Sequence, residues 1–256
     1  MNATSTNLST DDIRKRWDAF AEDFALVDPI MRQSWQAMLD RLSLSTATAV
    51  LEVGCGRGAC ALAISKATPA FCRLIATDLS PNMIAIAKTV LPITAVVQVA
   101  DGCNLVHIPD ASVDRYISNM ALQIVPDPDS MLREARRVLM PDGIAAFSVW
   151  GDPDNSVMFS GKPGNQHHEN FKIGADVALL RKRFLAAGFS KVVMFRQPCI
   201  LELWDAERAT WWWAKIDHKS MPEDEAWFQA MNQSFKNALD DGKPISLEAL
   251  IIFALP

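Results

Sequence analysis

The feature that most constrains the fold of this chain is the run Val-Leu-Glu-Val-Gly-Cys-Gly-Arg-Gly at residues 50–58. An apolar stretch leads into closely spaced glycines, and the apolar-periodic stretch Ala59–Lys66 follows, which predicts a buried strand, a tight loop and a helix. Glycine lets a backbone pass close to a ligand, and the start of the following helix offers free N–H groups. About 20 residues later a second apolar strand ends at Asp78, where a carboxylate can accept ribose hydroxyls. We therefore expect a nucleoside-containing cofactor at this loop.

The glycine spacing does not choose between cofactors, because Gly54-x-Gly56-x-x-Ala59 also fits the loose fingerprint of dinucleotide binders. Three other features separate the possibilities. Glu52 lies within the first strand, where a nicotinamide binder usually carries an apolar or small residue. Asp101 follows the third strand, where it can accept a hydrogen bond from an adenine amino group. The glycine loop also follows a helical N-terminal arm instead of beginning the chain. Together these three features favour an adenosine-containing cofactor other than a nicotinamide dinucleotide.

With their spacing, these motifs resemble the class I S-adenosylmethionine-dependent methyltransferases that act on small molecules. The resembling segments, in that family's order across residues 48–150, are Leu-Glu-Val-Gly-Cys-Gly-Arg-Gly, Ala-Thr-Asp-Leu-Ser-Pro-Asn-Met, Val-Ala-Asp-Gly and Arg-Val-Leu-Met-Pro-Asp-Gly. The resemblance implies S-adenosyl-L-methionine as the cofactor and a Rossmann-like α/β fold. That fold is a doubly wound, mainly parallel seven-stranded sheet with a helical cover, in which the last two strands pair antiparallel at one edge.

Predicted strands and helices alternate along the chain, which indicates parallel strands joined by right-handed crossovers, with a ligand at their C-terminal ends. The predicted strands are Ala47–Val53, Cys72–Thr77, Thr94–Val99, Arg115–Ser118, Ile144–Trp150, Lys191–Gln197 and Ala249–Leu255. The predicted helices are Asp11–Leu42 with a break before Pro29, Ala59–Lys66, Asn82–Val90, Asp129–Leu139, Ala175–Ala187 and Ala206–Leu239.

A chain of this length, half of it apolar, can build one sizeable core, so we expect a single methyltransferase domain over residues 1–256. Its expected parts are an N-terminal helical arm at 1–46, a cofactor-binding core at 47–150, and completing strands at 151–256 with a helical substrate cover at 204–240.

Composition limits the partners and the compartment. No apolar run approaches the roughly 18–20 uncharged residues that span a bilayer, and the polar start Met1–Asp12 lacks the layout of a secretory signal. Five cysteines include no C-x-x-C pair, which indicates reduced thiols and a cytoplasmic enzyme. A net charge of −5 argues against a nucleic-acid partner, because phosphate binding requires clustered Lys and Arg. The basic runs at 14–16 and 181–183 fall within helical patterns and are interpreted as solvated faces.

The family resemblance implies which residues contact the methionine and ribose parts of the cofactor. Gly54, Cys55 and Gly56 would lie against the methionine part. Asp78 would bind the two ribose hydroxyls. The alternative role for Asp78 is to cap the next helix, but Ser80 already provides that cap.

The adenine end is assigned in the same way. Leu79 and Met83 would wall the adenine, although Met83 is equally suited to fill the core beneath its helix. Asp101 and Gly102 would supply the acid and the neighbouring amide that contact the base. Phe24 belongs to an aromatic N-terminal helix that folds over the cofactor in this family, and aromatic residues on one helical face also serve as core packing.

The acceptor is expected to be a small molecule bound beyond the fourth strand. Asn119 either contacts the amino or carboxylate end of the cofactor or caps the next segment. The expected acceptor contacts are Met120, Trp211, His167 and His168. Consecutive helical residues point about 100° apart, so the run Trp211-Trp212-Trp213 cannot face one core throughout. An aromatic wall of this kind can stack on a planar ring or hold a cation over its face.

The sequence assigns neither a catalytic residue nor a metal site. A general base near neutral pH is most naturally a histidine, but each of the four histidines is interpreted as a loop or surface residue. The adjacent His167 and His168 cannot share one helix face and lack acid or thiol partners at ligand spacing.

The predicted reaction is transfer of a methyl group from S-adenosylmethionine to an oxygen or nitrogen atom of a small-molecule acceptor. One alternative is a cofactor-binding but catalytically silent regulatory or interaction subunit. The other is an NAD-dependent dehydrogenase, for which the chain offers no Tyr-x-x-x-Lys pair, Tyr116 being its single tyrosine. The acceptor, the acceptor atom and the oligomeric state are left open.

Overall fold

The computed structural model describes residues 8–159 and 168–256, and a seven-stranded sheet in the order β3-β2-β1-β4-β5-β7-β6 forms its centre. The strands are β1 Ala49–Val53, β2 Arg73–Asp78, β3 Val96–Val99, β4 Val113–Asn119, β5 Leu139–Trp150, β6 Lys191–Glu202 and β7 Ile245–Leu255. Strands β1 to β5 pair in parallel, and β7 lies antiparallel between β5 and β6. This confirms the predicted doubly wound, mainly parallel sheet with an antiparallel edge.

Helices cover both faces of the sheet. They are α1 Thr10–Phe20, α2 Asp28–Leu39, α3 Ala59–Ala67, α4 Pro81–Val90, α5 Pro128–Val138, α6 Lys172–Ala175, α7 Val177–Ala186, α8 Ala206–Ile216 and α9 Glu225–Asp240. Short 3₁₀ turns occupy Asp23–Leu26, Leu44–Thr46, Pro153–Asn155, Val157–Phe159 and Glu169–Phe171.

Each face of the sheet has its own apolar core, because successive side chains of a strand point to opposite faces. Val50 packs on the face covered by α2 and α3, to which Trp213 of α8 and Phe235 of α9 also belong. Leu51 packs on the opposite face, covered by α5 and α7. The two layers of helices leave the C-terminal ends of the parallel strands as the open edge of the sheet.

The helical stretch predicted over Ala206–Leu239 consists of two helices, because α8 ends at Ile216 and α9 begins at Glu225. Pro222 lies in the intervening segment, and proline lacks the N–H that a helix interior needs. His218 in the same segment has a left-handed φ of 52°, which also interrupts the helix. The cover is therefore a helical hairpin.

Three strands extend beyond their predicted ends. β6 and β7 pair from Lys191↔Leu255 to Glu202↔Ile245, with one irregularity between Ile200 and Glu202, and form a long antiparallel ribbon. β5 begins at Leu139 because the predicted turn at Pro141–Gly143 is accommodated as an irregularity in the pairing of β4 with β5. The turn residues in the sequence predicted that these strands would end earlier, whereas hydrogen bonds to the neighbouring strand continue past those residues.

The N-terminal arm breaks earlier than predicted: α1 ends at Phe20, a 3₁₀ turn follows, and α2 begins at Asp28 with Pro29 in its first turn. Proline is tolerated there because the first N–H groups of a helix have no partner within it. Within the ranges 8–159 and 168–256, no helix combines the length and apolar character needed to cross a bilayer.

Candidate active site

A cavity of about 710 Å³ lies at the C-terminal ends of β1, β2 and β4, between the sheet and α1. All ten residues predicted to contact a cofactor line it. They are Phe24, Gly54, Cys55, Gly56, Asp78, Leu79, Met83, Asp101, Gly102 and Asn119. Four loops far apart in sequence thus converge on one space, as expected for parallel strands whose ends meet at one edge.

The glycine loop needs glycine at both of its central positions. Gly54 and Gly56 have φ values of 76° and 53°, in the left-handed region that side-chain-bearing residues rarely adopt. A Cβ on Gly54 would lie 2.7 Å from Cβ of Ala121, and one on Gly56 would lie 3.4 Å from the Phe24 ring. The N–H groups of Gly54 and Cys55 donate to the Thr77 carbonyl at 2.8 and 2.9 Å, which fixes the loop against the end of β2.

Asp78 ends β2 and joins two loops. Its Oδ2 accepts a hydrogen bond from the Gly56 N–H at 2.8 Å, and its Oδ1 accepts one from the Ser80 N–H at 2.9 Å. Burial raises the pKa of Asp78, whereas these two N–H groups favour its charged form. Each carboxylate oxygen can accept more than one hydrogen bond, so the side chain keeps capacity for ligand hydroxyls.

Asp101 and Gly102 form a tight turn after β3. The Asp101 Oδ1 accepts from the Cys103 N–H at 2.8 Å. A Cβ on Gly102 would approach the Val53 side chain to 2.8 Å, so glycine allows the turn to pack against β1. Met83 lines the cavity from the first turn of α4 and is almost fully buried.

Glu52 is a cavity residue to which the sequence assigned no contact. It is 1% exposed, and its Oε2 has no hydrogen-bond partner among the described residues. Burial raises the pKa of Glu52 from 4.5 to about 7, while a hydrogen bond with Cys60 lowers it and the charge of Asp78 raises it further. An unpartnered buried acid is costly, by about 1–3 kcal/mol. The signal in the sequence was a lone acid inside an apolar strand.

Asn119 ends β4 and is fixed by two hydroxyls that the sequence did not point to. The Ser34 and Ser148 Oγ atoms each lie 2.7 Å from its Oδ1. Met120 follows with a left-handed φ of 57°, and its N–H donates to the Ser148 carbonyl at 3.0 Å. Such strained backbone tends to cluster at functional sites. Both Asn119 and Met120 line the cavity.

Aromatic residues line the end of the cavity beyond Asn119. Trp150 packs on His168 with ring centroids 5.2 Å apart, and Phe159 packs edge-on to Trp213 at 5.2 Å. Trp212 also lines the cavity and donates from its Nε1 to the Leu26 carbonyl at 3.0 Å.

The prediction that Trp211 contacts the acceptor is corrected, because Trp211 does not line the cavity. Its side chain is 46% exposed, and its ring packs on Phe228 of α9 with centroids 4.5 Å apart. The angular separation of consecutive helical residues directs Trp212 and Trp213 inward and Trp211 outward. Which face of α8 points toward the cavity depends on tertiary packing, and the run of three tryptophans does not indicate it.

His168 lines the cavity and is buried, and its Nδ1 accepts a hydrogen bond from the Asn170 N–H at 3.2 Å. A neutral imidazole in this arrangement carries its proton on Nε2 and acts as a donor. His167 lies outside the described residues, and His107 and His218 are not among the lining residues. The part of the chain that the structure describes contains no group of three or more His, Cys, Asp or Glu side chains suited to a metal ion.

Comparison with known proteins agrees with this geometry. Residues 51–147 match the sequence family described as methyltransferase domain. A malonyl-[acyl-carrier protein] O-methyltransferase from Methylovorus sp. (strain MP688) is 27% identical over 194 residues, covering 71% of this chain and 64% of that protein. The chain thus matches less than two thirds of that relative's length.

Two solved structures share the fold. A Haloferax volcanii methyltransferase in complex with a methyltransferase activator superposes with a TM-score of 0.66 and 20% identity, covering 93% of this chain and 96% of that one. The second structure is Haemonchus contortus phosphoethanolamine N-methyltransferase 2, bound to phosphomonomethylethanolamine and S-adenosylhomocysteine. It superposes with a TM-score of 0.64 and 16% identity, covering 98% of this chain and 61% of that one. Residues 51–147 of the chain thus match a methyltransferase domain, and the fold of the chain is the one that these solved methyltransferase structures share.

Proposed function

We propose that this protein transfers the methyl group of S-adenosylmethionine to an oxygen or nitrogen atom of a small, largely apolar acceptor. The observation that carries the proposal is the division of one cavity into two chemically different ends. Glycines and acids line the end at β1, β2 and β3. Large apolar side chains line the part beyond β4, together with a few polar and charged residues such as His168, Glu169 and Lys172.

The polar end fits the cofactor part by part. Asp78 binds the ribose hydroxyls, Asp101 and Gly102 contact the adenine, and the backbone of Gly54 and Gly56 lies against the methionine part. The unpartnered Oε2 of Glu52 gives a further reason for this placement, because a buried carboxylate requires a cationic or hydrogen-bonding partner and the cofactor carries an ammonium group. When bound, the cofactor supplies an electrophilic methyl group on a sulfonium.

The aromatic end suits a flat or apolar acceptor. Trp150, Phe159 and Trp213 bury large apolar faces there, and His168 offers one polar group among them. Transfer to a nucleophilic oxygen or nitrogen needs the two atoms aligned in a dry cavity more than it needs covalent help from the protein.

The relatives carry names with both acceptor atoms, which is why the proposal includes both. The Methylovorus relative is named as an O-methyltransferase and the Haemonchus structure as an N-methyltransferase. In this chain, rings and amides in the cavity would orient the acceptor. An acceptor with its own lone pair or a readily ionised oxygen suits such a cavity.

Ligand-induced thermal shift, followed by a methyl-transfer assay, tests the proposal. We expect S-adenosylmethionine and S-adenosylhomocysteine to raise the unfolding midpoint and NAD to leave it unchanged. Radiolabelled S-adenosylmethionine should then label members of a panel of aromatic and apolar amines, phenols and carboxylic acids. Stabilisation by NAD alone would favour the dehydrogenase, and cofactor binding without transfer to any panel member would favour a silent subunit.

A further inference from the structure

Helix α1 lies over the cavity and is attached to the start of α4 through Asp18. The Asp18 Oδ1 accepts hydrogen bonds from the Ser80 Oγ at 2.5 Å and from the Asn82 N–H at 3.2 Å. The Asn82 side-chain amide donates back to the Asp18 carbonyl at 3.1 Å. A carboxylate at a helix N-terminus is stabilised by the unpaired N–H groups there. Three hydrogen bonds thus join α1 to the segment that follows Asp78.

A second attachment joins the end of α1 to the glycine loop. Arg57 lies between two of the loop glycines, and its Nη1 donates to the Ala21 carbonyl at 2.8 Å and to the Glu22 carbonyl at 3.1 Å. A cation is favoured at the C-terminal end of a helix, where carbonyl groups lack partners. The Glu22 carboxylate also lies 3.3 Å from this nitrogen, but it is largely exposed and adds little.

The two attachments are connected to each other through Asp78. Ser80 and Gly56 both donate backbone N–H groups to the Asp78 carboxylate. A closed ring of contacts therefore runs from Asp18 to Ser80, Asp78 and Gly56, and through Arg57 back to α1. The face of α1 inside this ring carries Ile13 and Trp17, which line the cavity.

We propose that Asp18 and Arg57 are positioning residues that hold α1 closed over the bound cofactor, so that cofactor release requires these attachments to open. The inference rests on the cofactor placement proposed above, in which the ribose contacts Asp78. Because the groups that bind the cofactor also hold α1, bound cofactor and closed helix stabilise each other. Loss of either attachment should act mainly on the rate of cofactor release, since most affinity differences within one site are differences in dissociation rate.

Stopped-flow measurement of S-adenosylhomocysteine release, followed by tryptophan fluorescence, tests this inference in the full-length protein. The variants are Asp18→Ala and Arg57→Met. The matched control is Lys15→Ala, because Lys15 lies on the same helix, is exposed and forms its ion pair with Asp11 at the surface. Hydrogen exchange of residues 10–20 in the presence of the ligand provides a second readout.

We expect each attachment variant to raise the dissociation rate by about tenfold with little change in the association rate. Exchange at residues 10–20 should be faster than in the ligand-bound wild type. Lys15→Ala should match the wild type in both readouts. If Asp18→Ala does not fold, Asp18→Asn, which keeps an oxygen acceptor but removes the charge, and Arg57→Met decide the question.

Wild-type dissociation rates and exchange in the attachment variants would overturn the inference. Asp78→Ala, measured in parallel, separates the two proposals. If Asp78→Ala weakens binding while the attachment variants behave like the wild type, only the closure of α1 is wrong. If Asp78→Ala binds like the wild type, the cofactor placement itself is wrong.

Discussion

At the scale of single residues, Asp78 is the point where backbone and ligand chemistry meet. Its carboxylate orders the glycine loop and the start of α4 by accepting one N–H from each. The same carboxylate is partly buried, which raises its pKa and makes its charged form dependent on hydrogen-bond donors. Ribose hydroxyls are donors of the required kind, which supports the proposed placement of the ribose at Asp78.

Replacing Asp78 by alanine should therefore weaken binding of S-adenosylmethionine. Charge-assisted hydrogen bonds are lost, so we expect a loss of about 1.5–3 kcal/mol in binding free energy by isothermal titration calorimetry. The exposed Asp142→Ala is the control and should bind like the wild type. Gly56→Val should be worse than Asp78→Ala, because its side chain would enter the cavity in a left-handed conformation. Undiminished affinity of both cavity variants would disprove the placement.

Glu52 makes the stability of the cofactor-free protein depend on pH. Its folded-state pKa of about 7 exceeds the ordinary 4.5, so between these values the folded state binds more protons than the unfolded state. The stabilisation is present in full below pH 4.5 and is lost as the pH rises through 7, by about 3 kcal/mol at most.

Urea unfolding at pH 5 to 8 measures this effect directly in the wild type and in Glu52→Gln. The free energy of unfolding of the wild type should fall with pH relative to that of Glu52→Gln, which has no charge to bury. Glu207→Gln, an exposed position on α8, should follow the wild type. Parallel curves for the wild type and Glu52→Gln would show that Glu52 titrates normally.

The cofactor residues were predictable because their constraint is local. Left-handed glycines and an acid at a strand end are visible in a few consecutive residues. Ser34 and Ser148 were not predictable, because they approach Asn119 from α2 and β5, far away in sequence. The contact of Glu52 with the cavity was likewise not predictable, because it depends on which face of β1 borders the cavity.

At the scale of elements, α8 shows how helix phase determines which tryptophan faces the cavity. Trp213 is 6% exposed and packs on Phe159, whereas Trp211 is half-exposed and packs on α9. Three adjacent tryptophans in the sequence are equivalent, and only the packing of α8 on the sheet distinguishes them. The full length of the β6–β7 ribbon was missed for the same reason: tertiary contacts override local signals.

Conservative replacement within α8 should separate these two tryptophans. Trp213→Phe shortens one wall of the acceptor end, so we expect the KM for the acceptor to rise or kcat to fall by about tenfold through lost positioning. The affinity for S-adenosylhomocysteine should stay near that of the wild type. Trp211→Phe is the matched control and should keep wild-type kinetics. Equal kinetics for both variants would show that the acceptor does not contact α8.

At the scale of the whole molecule, the sheet edge, α1 and α8 line one cavity from three sides. The sheet supplies the acids and glycines, α1 covers them, and the region beyond β4 supplies aromatic walls. The mainly parallel sheet with its antiparallel edge was predictable from the alternation of elements and the family motifs. How far the helical cover reaches over the cavity was not, because it depends on side chains packed between distant segments.

The cavity's two-part character is tested most directly by a crystal structure of the protein with S-adenosylhomocysteine. The ribose hydroxyls should lie within hydrogen-bonding distance of the Asp78 carboxylate, with the ammonium near Glu52 and the sulfur directed toward Trp150, Phe159 and Trp213. Density for the ligand outside this cavity, or a sulfur directed away from the aromatic end, would contradict the proposed function.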